Sequence, residues 1–513
     1  MAELPPLLGA LRAQVLRGDV KLVETHVSWV LLAGAQAYKI KKPVDFGFLD
    51  FSTLALRHRY CLEELRLNRR FAPELYEEVL AITGEPLRPR FGGEGPVLEY
   101  AVKLKRFDEA GLADRLLGEG RLSAGQLDGL ARELAAFHGA APRSTEGDGH
   151  GLPPTILACA EHNFEPLLRL AGRLGDGAEA RLLALRAWTR AEFRRLQPVF
   201  SQRKAAGFVR ECHGDLHCGN LVLLGGRLVP FDCVEFSEEL RWIDCLSEIA
   251  FLLMDIEARG RADLAWRLLN RYLEGCGDYA GLAVLDFYRV YRALVRAKVA
   301  ALSLEQAGAA PDRALCLRYL EYAERVAKPR RPLLLITRGF SGSGKSRLAY
   351  SLAERLPAVR VSSDVERKRL AGFEALARTG SAVGGGIYSE LFNRQTYAVL
   401  LGHAESLLRA GHNALLDATY LRAADRDACR ALAGRLGARF AILDLEAHEA
   451  LLRERISQRM ARGADPSEAS PSVLSRQMAE ADGLSDAERP FALSLDAAHG
   501  ANSDEVLRAL GAL

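Results

Sequence analysis

Residues 339–346 read Gly-Phe-Ser-Gly-Ser-Gly-Lys-Ser, and few folds can hold such a segment. Glycines at 339, 342 and 344 remove Cβ atoms from a turn, so backbone N–H groups can curl toward one point. The apolar run Leu333–Thr337 precedes the turn and a helical pattern, Ser346 to Leu356, follows it. A strand, a glycine turn and a helix N-terminus in that order form a cradle for phosphate. In such a cradle Lys345 reaches the β/γ-phosphates and the Ser346 hydroxyl ligates Mg²⁺. Gly339, Ser341, Gly342, Ser343, Gly344, Lys345 and Ser346 are therefore candidate nucleotide contacts.

A second pattern lies upstream, His213-Gly-Asp215-Leu-His-Cys-Gly-Asn220. Two strand-like arms follow, Leu221–Leu224 and Leu228–Phe231, and the second ends in Asp232. A short hairpin would return Asp232 to the side of Asn220. Phosphoryl transfer needs a carboxylate near the acceptor hydroxyl, here Asp215, and Mg²⁺ ligands from adjacent loops, here Asn220 and Asp232. His213 packs and hydrogen-bonds the loop. Cys212, His213, His217 and Cys218 also have the chemistry of metal ligands, but they lack the usual ligand spacing.

Two phosphate sites call for more than one domain, and 513 residues supply the length. Hydrophobic content of 49% with 26% charged residues suits large cores. A net charge of +3 neither demands nor excludes a nucleic-acid partner. No apolar run has the length of a membrane span, and the first residues do not read as a secretory signal. Nine cysteines without a C-x-x-C pair fit reduced thiols in a cytoplasm. Lys328-Pro-Arg-Arg-Pro332 stops a helical stretch, Asp312 to Ala327, and reads as a linker. A softer boundary lies near residue 105. Strand-like segments at Ser28–Leu32, Tyr38–Lys42 and Val97–Lys103 precede it. Helical patterns such as Ser123 to Gly139 dominate beyond it. Three segments are thus expected: 1–105 and the helical 106–328, as two lobes ahead of the linker, and 329–513 as a separate domain.

Beyond the linker, strand patterns at Leu333–Thr337, Val359–Ser362, Ala414–Asp417, Phe440–Leu445 and Ala492–Leu495 alternate with helices. That alternation predicts a parallel sheet covered on both faces. Asp364 and Arg367 follow the second strand, where open sheets bind substrates. A carboxylate there can take a proton from an attacking hydroxyl, and a cation three residues on can hold an anionic group. Ser363 or Asp364 can also cap the following helix, and the two roles can coexist. Asp417 closes the next strand in a position suited to Mg²⁺. Arg453, Arg455, Arg459 and Arg462 lie on one helical pattern, with Arg455 and Arg459 on one face. They can close over a triphosphate and neutralise transferring charge, or face water.

The order Gly-x-x-x-x-Gly-Lys-Ser, Asp364-x-x-Arg-Lys, Asp417-Ala-Thr, then an arginine-rich helix and Asp465-Pro-Ser-Glu-Ala469 resembles the P-loop kinase group. That group holds gluconate kinase, chloramphenicol phosphotransferase, the zeta toxins and polynucleotide 5′-kinases. The resemblance implies that Asp364 is the general base, Arg367 a substrate clamp, and Arg455 and Arg459 lid arginines.

The run His-Gly-Asp-Leu-His-x-Gly-Asn followed by Phe231-Asp232-x-x-Glu235 resembles the aminoglycoside phosphotransferase and choline kinase family. This implies a lysine for the α/β-phosphates on the small lobe and a helix glutamate to hold it. Tyr38-Lys39-Ile-Lys41-Lys42 supplies the lysine. Lys39 and Lys41 share a face, and Lys39 is favoured. Glu64 is the favoured glutamate, with Glu63 its rival. No G-x-G-x-x-G precedes Lys39, only Gly34.

The fold class expected is an α+β bilobal protein-kinase-like domain followed by an α/β P-loop domain with a parallel sheet. The function expected is a tandem kinase using ATP and Mg²⁺ at two sites. Its acceptors would be small-molecule hydroxyls or a nucleic-acid 5′-hydroxyl, the latter requiring a basic funnel near Arg367, Lys368 and Arg369. The alternative is a single P-loop kinase with a regulatory or substrate-binding aminoglycoside-phosphotransferase-like domain.

Overall fold

Six segments near the N-terminus pair into one antiparallel sheet. They are β1 (Val20–Glu24), β2 (Ser28–Ala33), β3 (Gln36–Lys41), β4 (Tyr76–Glu85), β5 (Arg88–Phe91) and β6 (Val97–Lys105), in the order β1-β2-β3-β6-β4-β5. Sequence patterning reveals β2, β3 and β6. It misses β4 because two register shifts, at Tyr76/Glu78 and Ile82/Thr83, break the two-residue period.

The computed structural model describes residues 5–16, 19–47, 49–304, 310–379, 385–462, 467–498 and 502–512. The chain divides into two compact units. The first comprises Met1–Leu130, Phe137–Asn163 and Phe200–Asp255, and the second Ala131–Ala136, Phe164–Val199 and Ile256–Leu513.

In the first unit, helix α1 (Leu54–Asn68) packs on β4 and β6, and Thr53 caps it by accepting the Leu56 N–H. Cys61, Leu75, Tyr76 and Val102 bury their side chains with Val222 and Val229. Those valines belong to a hairpin, β8 (Leu221–Leu224) and β9 (Arg227–Pro230). The strands that precede and follow it in the chain, β7 (Val209–Glu211) and β10 (Trp242–Asp244), form a short antiparallel pair. The Ser123 helix forms as expected: α2 (Ala124–Ala140) opens with a reciprocal capping box between Ser123 and Gln126.

One buried carboxylate fixes the loop between β7 and β8. Glu248, on α3 (Cys245–Ala258), accepts the N–H groups of His213 (3.1 Å) and Gly214 (2.8 Å). His138 Nε2 lies 3.1 Å from the same carboxylate. Burial pushes the Glu248 pKa up, but His138, His213 and the Gly214 N–H outweigh it and hold the group at about 2.

The second unit contains helices α4 (Ala262–Cys276), α5 (Leu285–Ser303) and α6 (Ala310–Ala327), then a five-stranded parallel sheet. Its strands are β11 (Leu333–Arg338), β12 (Ala358–Ser362), β13 (Asn413–Asp417), β14 (Arg439–Glu446) and β15 (Ala492–Asp496), in the order β12-β13-β11-β14-β15. Leu333 and Leu335 pack with Leu348 and Leu352 of α7 (Lys345–Arg355). Strand alternation turns Leu334 and Ile336 to the other face, where helices Glu390–Arg409 and Ala423–Arg435 pack. The chain order reverses on either side of β11, so the crevice at its carboxyl end is the natural ligand site. Among the described residues no helix is long and apolar enough to cross a membrane.

Glu248→Gln tests the loop clamp. A carboxylate at about 2 in the folded state and about 4.3 unfolded contributes about 3 kcal/mol above the unfolded value. That contribution fades as pH falls from 4.3 toward 2. Denaturant unfolding at pH 7 should show the variant less stable by this order, with the gap closing below pH 4.

Candidate active sites

In the second unit, β11 runs straight into the glycine loop. The Thr337 hydroxyl donates to the Ala418 carbonyl (2.7 Å), and the Gly339 N–H to the Thr419 carbonyl (3.1 Å). These bonds tie the ends of β11 and β13 together. Gly339 has φ +143°, and a Cβ there would lie 2.7 Å from the Leu445 carbonyl oxygen. A Cβ at Gly342 would lie 2.8 Å from that of Leu452. Both glycines are therefore required by close backbone approach.

A cavity of about 1340 Å³ opens over this loop. Gly342, Ser343, Gly344, Lys345 and Ser346 form its floor. Lys345 begins α7 and is buried, and its ammonium donates to the Phe340 carbonyl (2.7 Å). Burial depresses its pKa to about 8 although Asp417 and Asp364 pull the other way. Ser346 is exposed to the cavity. Asp364 stands in the first turn of the helix Ser363–Leu370, half-buried on the cavity wall. Its carboxylate accepts no side-chain hydrogen bond among the described residues, and Ser362, the capping position, makes no side-chain cap either. Arg367, one turn on, donates to Ile387 O (3.1 Å) and Asn393 Oδ1, lies over the Tyr388 ring, and has a buried Nε without a partner among the described residues.

Asp417 ends β13 on the same cavity, but Arg360 of β12 already grips it, with Nε 3.0 Å from Oδ2. The Arg360 guanidinium also pairs with Glu274 of α4 and stacks 3.8 Å from the Tyr350 ring centre. Arg455 and Arg459, on helix Glu449–Arg462, line the cavity and donate to the carbonyls of Ala497 (2.9 Å) and Ala469 (3.0 Å). The Arg459 Nε is buried without a partner among the described residues. Lys368 and Arg369 turn elsewhere. Lys368 is buried against the Ala375 and Ala377 carbonyls and Glu468, and Arg369 reaches Glu366 and the Glu274 carbonyl. The Arg462 side chain and Asp465 lie outside the described residues.

In the first unit a charge cluster joins β3, α1 and the segment after β9. Lys39 Nζ lies 2.5 Å from Asp232 Oδ1 and 2.9 Å from Glu64 Oε1. Lys41, wholly buried, lies 2.7 Å from Glu64 Oε2 and also pairs with Glu235. Both lysines therefore meet Glu64, while Lys39 is the one that meets Asp232. Glu63 points away, to Arg66 and Arg241. Burial pushes the Glu64 pKa up, but the two lysines bring it down to about 2. Asp232 has φ +64°, with its N–H donating to the Tyr76 hydroxyl (3.1 Å).

The Phe231 N–H donates to the Asn220 carbonyl (3.0 Å), which brings Asn220 beside Asp232 at the base of the hairpin. Asn220 Nδ2 donates to Asp215 Oδ2 (3.0 Å), and His217 Nε2 lies 3.5 Å from the same oxygen. The Asp215, Asn220 and Asp232 constellation is thus assembled. The four neighbouring Cys and His residues do not converge on one point. His213 bonds the Phe231 carbonyl and His217 faces Asp215. Cys212 instead lies with His138 and Cys245, three buried donor atoms within 4.8 Å. His138 gives Nε2 to Glu248, so this group is packing behind the loop.

Sequence reasoning missed Glu248, Arg360 and the role of Lys41 as a second partner of Glu64. Glu235, three residues after Asp232, was the one local signal.

The donor sets fit the groups they would hold. Ser346 and Asp417 in one unit, and Asn220 and Asp232 in the other, offer only hard oxygen ligands suited to Mg²⁺. The exposed glycine-loop floor with a buried lysine suits a triphosphate.

Residues 62–288 match the profile of a phosphotransferase enzyme family, and residues 334–484 that of an AAA domain. Among solved structures, the chain is similar to a gluconokinase from Sinorhizobium meliloti 1021, at 19% identity over 35% of this chain and 89% of that one, TM-score 0.25. It is also similar to a choline/ethanolamine kinase family protein from Mesorhizobium loti, at 13% identity over 62% of this chain and 93% of that one, TM-score 0.39. Uncharacterized protein Rv2004c of Mycobacterium tuberculosis is 32% identical over 474 residues, covering 92% of this chain and 89% of the relative. Uncharacterized protein Mb2027c of Mycobacterium bovis matches to the same extent. The chain belongs to the family of these mycobacterial proteins, and in it a kinase-like phosphotransferase domain is followed by a P-loop kinase domain.

Proposed function

We propose that the chain moves the γ-phosphoryl group of ATP to hydroxyl acceptors at two Mg²⁺-dependent sites, one in each unit. The observation that carries this reading is Asp364. Among the described residues its carboxylate accepts no side-chain hydrogen bond, and it stands on the wall of the cavity whose floor is the glycine loop and Lys345. Asp364 takes the acceptor's proton as the hydroxyl attacks. Lys345 leaves the Phe340 carbonyl for the β/γ-phosphates. Arg455 and Arg459 supply positive charge over the transferring group, and Arg367 holds the acceptor. Mg²⁺ at Ser346 and Asp417 would neutralise charge on the phosphate oxygens.

In the first unit Lys39 holds the phosphates with Glu64 behind it, Asn220 and Asp232 ligate Mg²⁺, and Asp215 faces the acceptor. Retention of the whole set favours an active site there over a regulatory module. A small-molecule acceptor is favoured at the P-loop site, because Lys368 and Arg369 are committed to other partners and give no basic funnel for a nucleic acid. The nine cysteines form no disulfide among the described residues, in keeping with a reducing, cytoplasmic setting.

Asp364→Asn should lower kcat at the P-loop site by about 10²- to 10⁴-fold while ATP affinity changes little. Steady-state kinetics with titration calorimetry checks this. An equal loss of ATP affinity would assign Asp364 to metal binding or helix capping instead.

Lys345 generates a pH prediction. Its pKa near 8 without nucleotide means the ammonium is lost as pH rises through that value. Phosphates favour the charged form, so ATP binding at this site should weaken above pH 8 and draw in a proton. Calorimetry at pH 8.5 in two buffers of different ionisation enthalpy measures that uptake, which Lys345→Met should abolish.

A further inference from the structure

One peptide unit of the glycine loop is held at both ends. The Phe340 carbonyl accepts from the Lys345 ammonium at 2.7 Å. The N–H of the same peptide, on Ser341, donates to Gln477 Oε1 at 2.9 Å. Gln477 lies on helix Pro471–Glu480, 136 residues along the chain from the loop. That helix is fixed against the loop. Leu474, one turn before Gln477, packs with Leu452 and Ile456 of the arginine-bearing helix and with Phe340 itself. Arg453 also donates to Ser475 at 2.9 Å.

The carboxamide is therefore oriented. Because Ser341 N–H is a donor, the oxygen of Gln477 must face it, and the amide nitrogen points away. That nitrogen has no partner among the described residues, and Gln477 lines the same cavity as Lys345, Asp364 and Arg459. It is a neutral double donor, held in place by its own oxygen, beside the lysine that leaves Phe340 when a triphosphate arrives.

We propose that Gln477 contacts the terminal phosphoryl group through Nε2 while Oε1 holds the Ser341 N–H, so that the site tells triphosphate from diphosphate. This rests on reading the cavity as the ATP site. The chemistry requires a carboxamide. A carboxylate would still accept from Ser341 but would set negative charge against the phosphate. An apolar residue would leave both the loop N–H and the phosphate oxygen without this partner.

Gln477→Glu and Gln477→Ala separate the two halves of the side chain. Titration calorimetry on the full chain with Mg²⁺ would use a non-hydrolysable ATP analogue and, separately, ADP. The component removed by Lys345→Ala defines the P-loop site. Gln477→Glu should weaken the triphosphate there about 10- to 100-fold and ADP by less than about threefold. Gln477→Ala should show the same asymmetry, more weakly, with the thermal midpoint unchanged in both variants. If Gln477→Glu binds both nucleotides like the wild type, the side chain only caps the loop and the proposal is overturned. Equal weakening of both nucleotides would also overturn it, in favour of a structural role. If Lys345→Ala removes no component at all, the ATP-site reading itself fails and this inference falls with it.

Discussion

The guanidinium of Arg360 is the contact on which the geometry of the P-loop site depends. It lies inside the sheet on β12, is almost wholly buried, and meets two carboxylates, Asp417 on the neighbouring strand and Glu274 on α4. Tyr350 of α7 covers its face. Loss of one member of a buried ion pair leaves the other uncompensated, at a cost of about 3–5 kcal/mol. One cation thus fixes a strand, a sheet-covering helix and the helix that begins at Lys345. Asn270 of α4 adds two backbone bonds to the same strand, accepting from Arg360 N (2.7 Å) and donating to Ala358 O (3.0 Å). The helices before the linker are in this way built into the unit that holds the P-loop sheet. Arg360 also holds the Asp417 carboxylate at the carboxyl end of β13, on the wall of the cavity over the glycine loop.

The first unit solves the same problem with two lysines. Glu64 is wholly buried and shared by Lys39 and Lys41, while Lys41 is anchored further by Glu235. A single lysine moving onto phosphates would strand Glu64 in a low-dielectric site. With Lys41 also on Glu64, movement of Lys39 away from Asp232 would leave Glu64 paired. Asp232 is correspondingly the most exposed acid of the cluster.

Four of the five parallel strands were legible in sequence because they are buried almost throughout and read as largely apolar runs between helical patterns, and the edge strand β15 was legible from its place in the same alternation. The glycine loop and the His213–Asp232 segment were legible because their chemistry is local. The bulged β4 was not, since its period shifts twice. Lys39 and Lys41 were inseparable by pattern, both lying on one face of β3; only the partner after β9 distinguishes them. Glu248, Arg360 and Gln477 were invisible because their partners are set by tertiary packing, 34 to 136 residues away. Arg367, Lys368 and Arg369 show the converse. Composition suggested a basic funnel, yet Lys368 is consumed by backbone carbonyls.

The central claim is that both units bind a nucleotide with Mg²⁺, and stoichiometry tests it most directly. Equilibrium titration of the full-length chain with a non-hydrolysable ATP analogue, with and without Mg²⁺, counts the sites. The account predicts two Mg²⁺-dependent sites per chain, one lost in Lys345→Ala and the other in Asp232→Ala. A single site per chain, lost in Lys345→Ala and indifferent to Asp232→Ala, would contradict it and leave the first unit as a regulatory or substrate-binding domain.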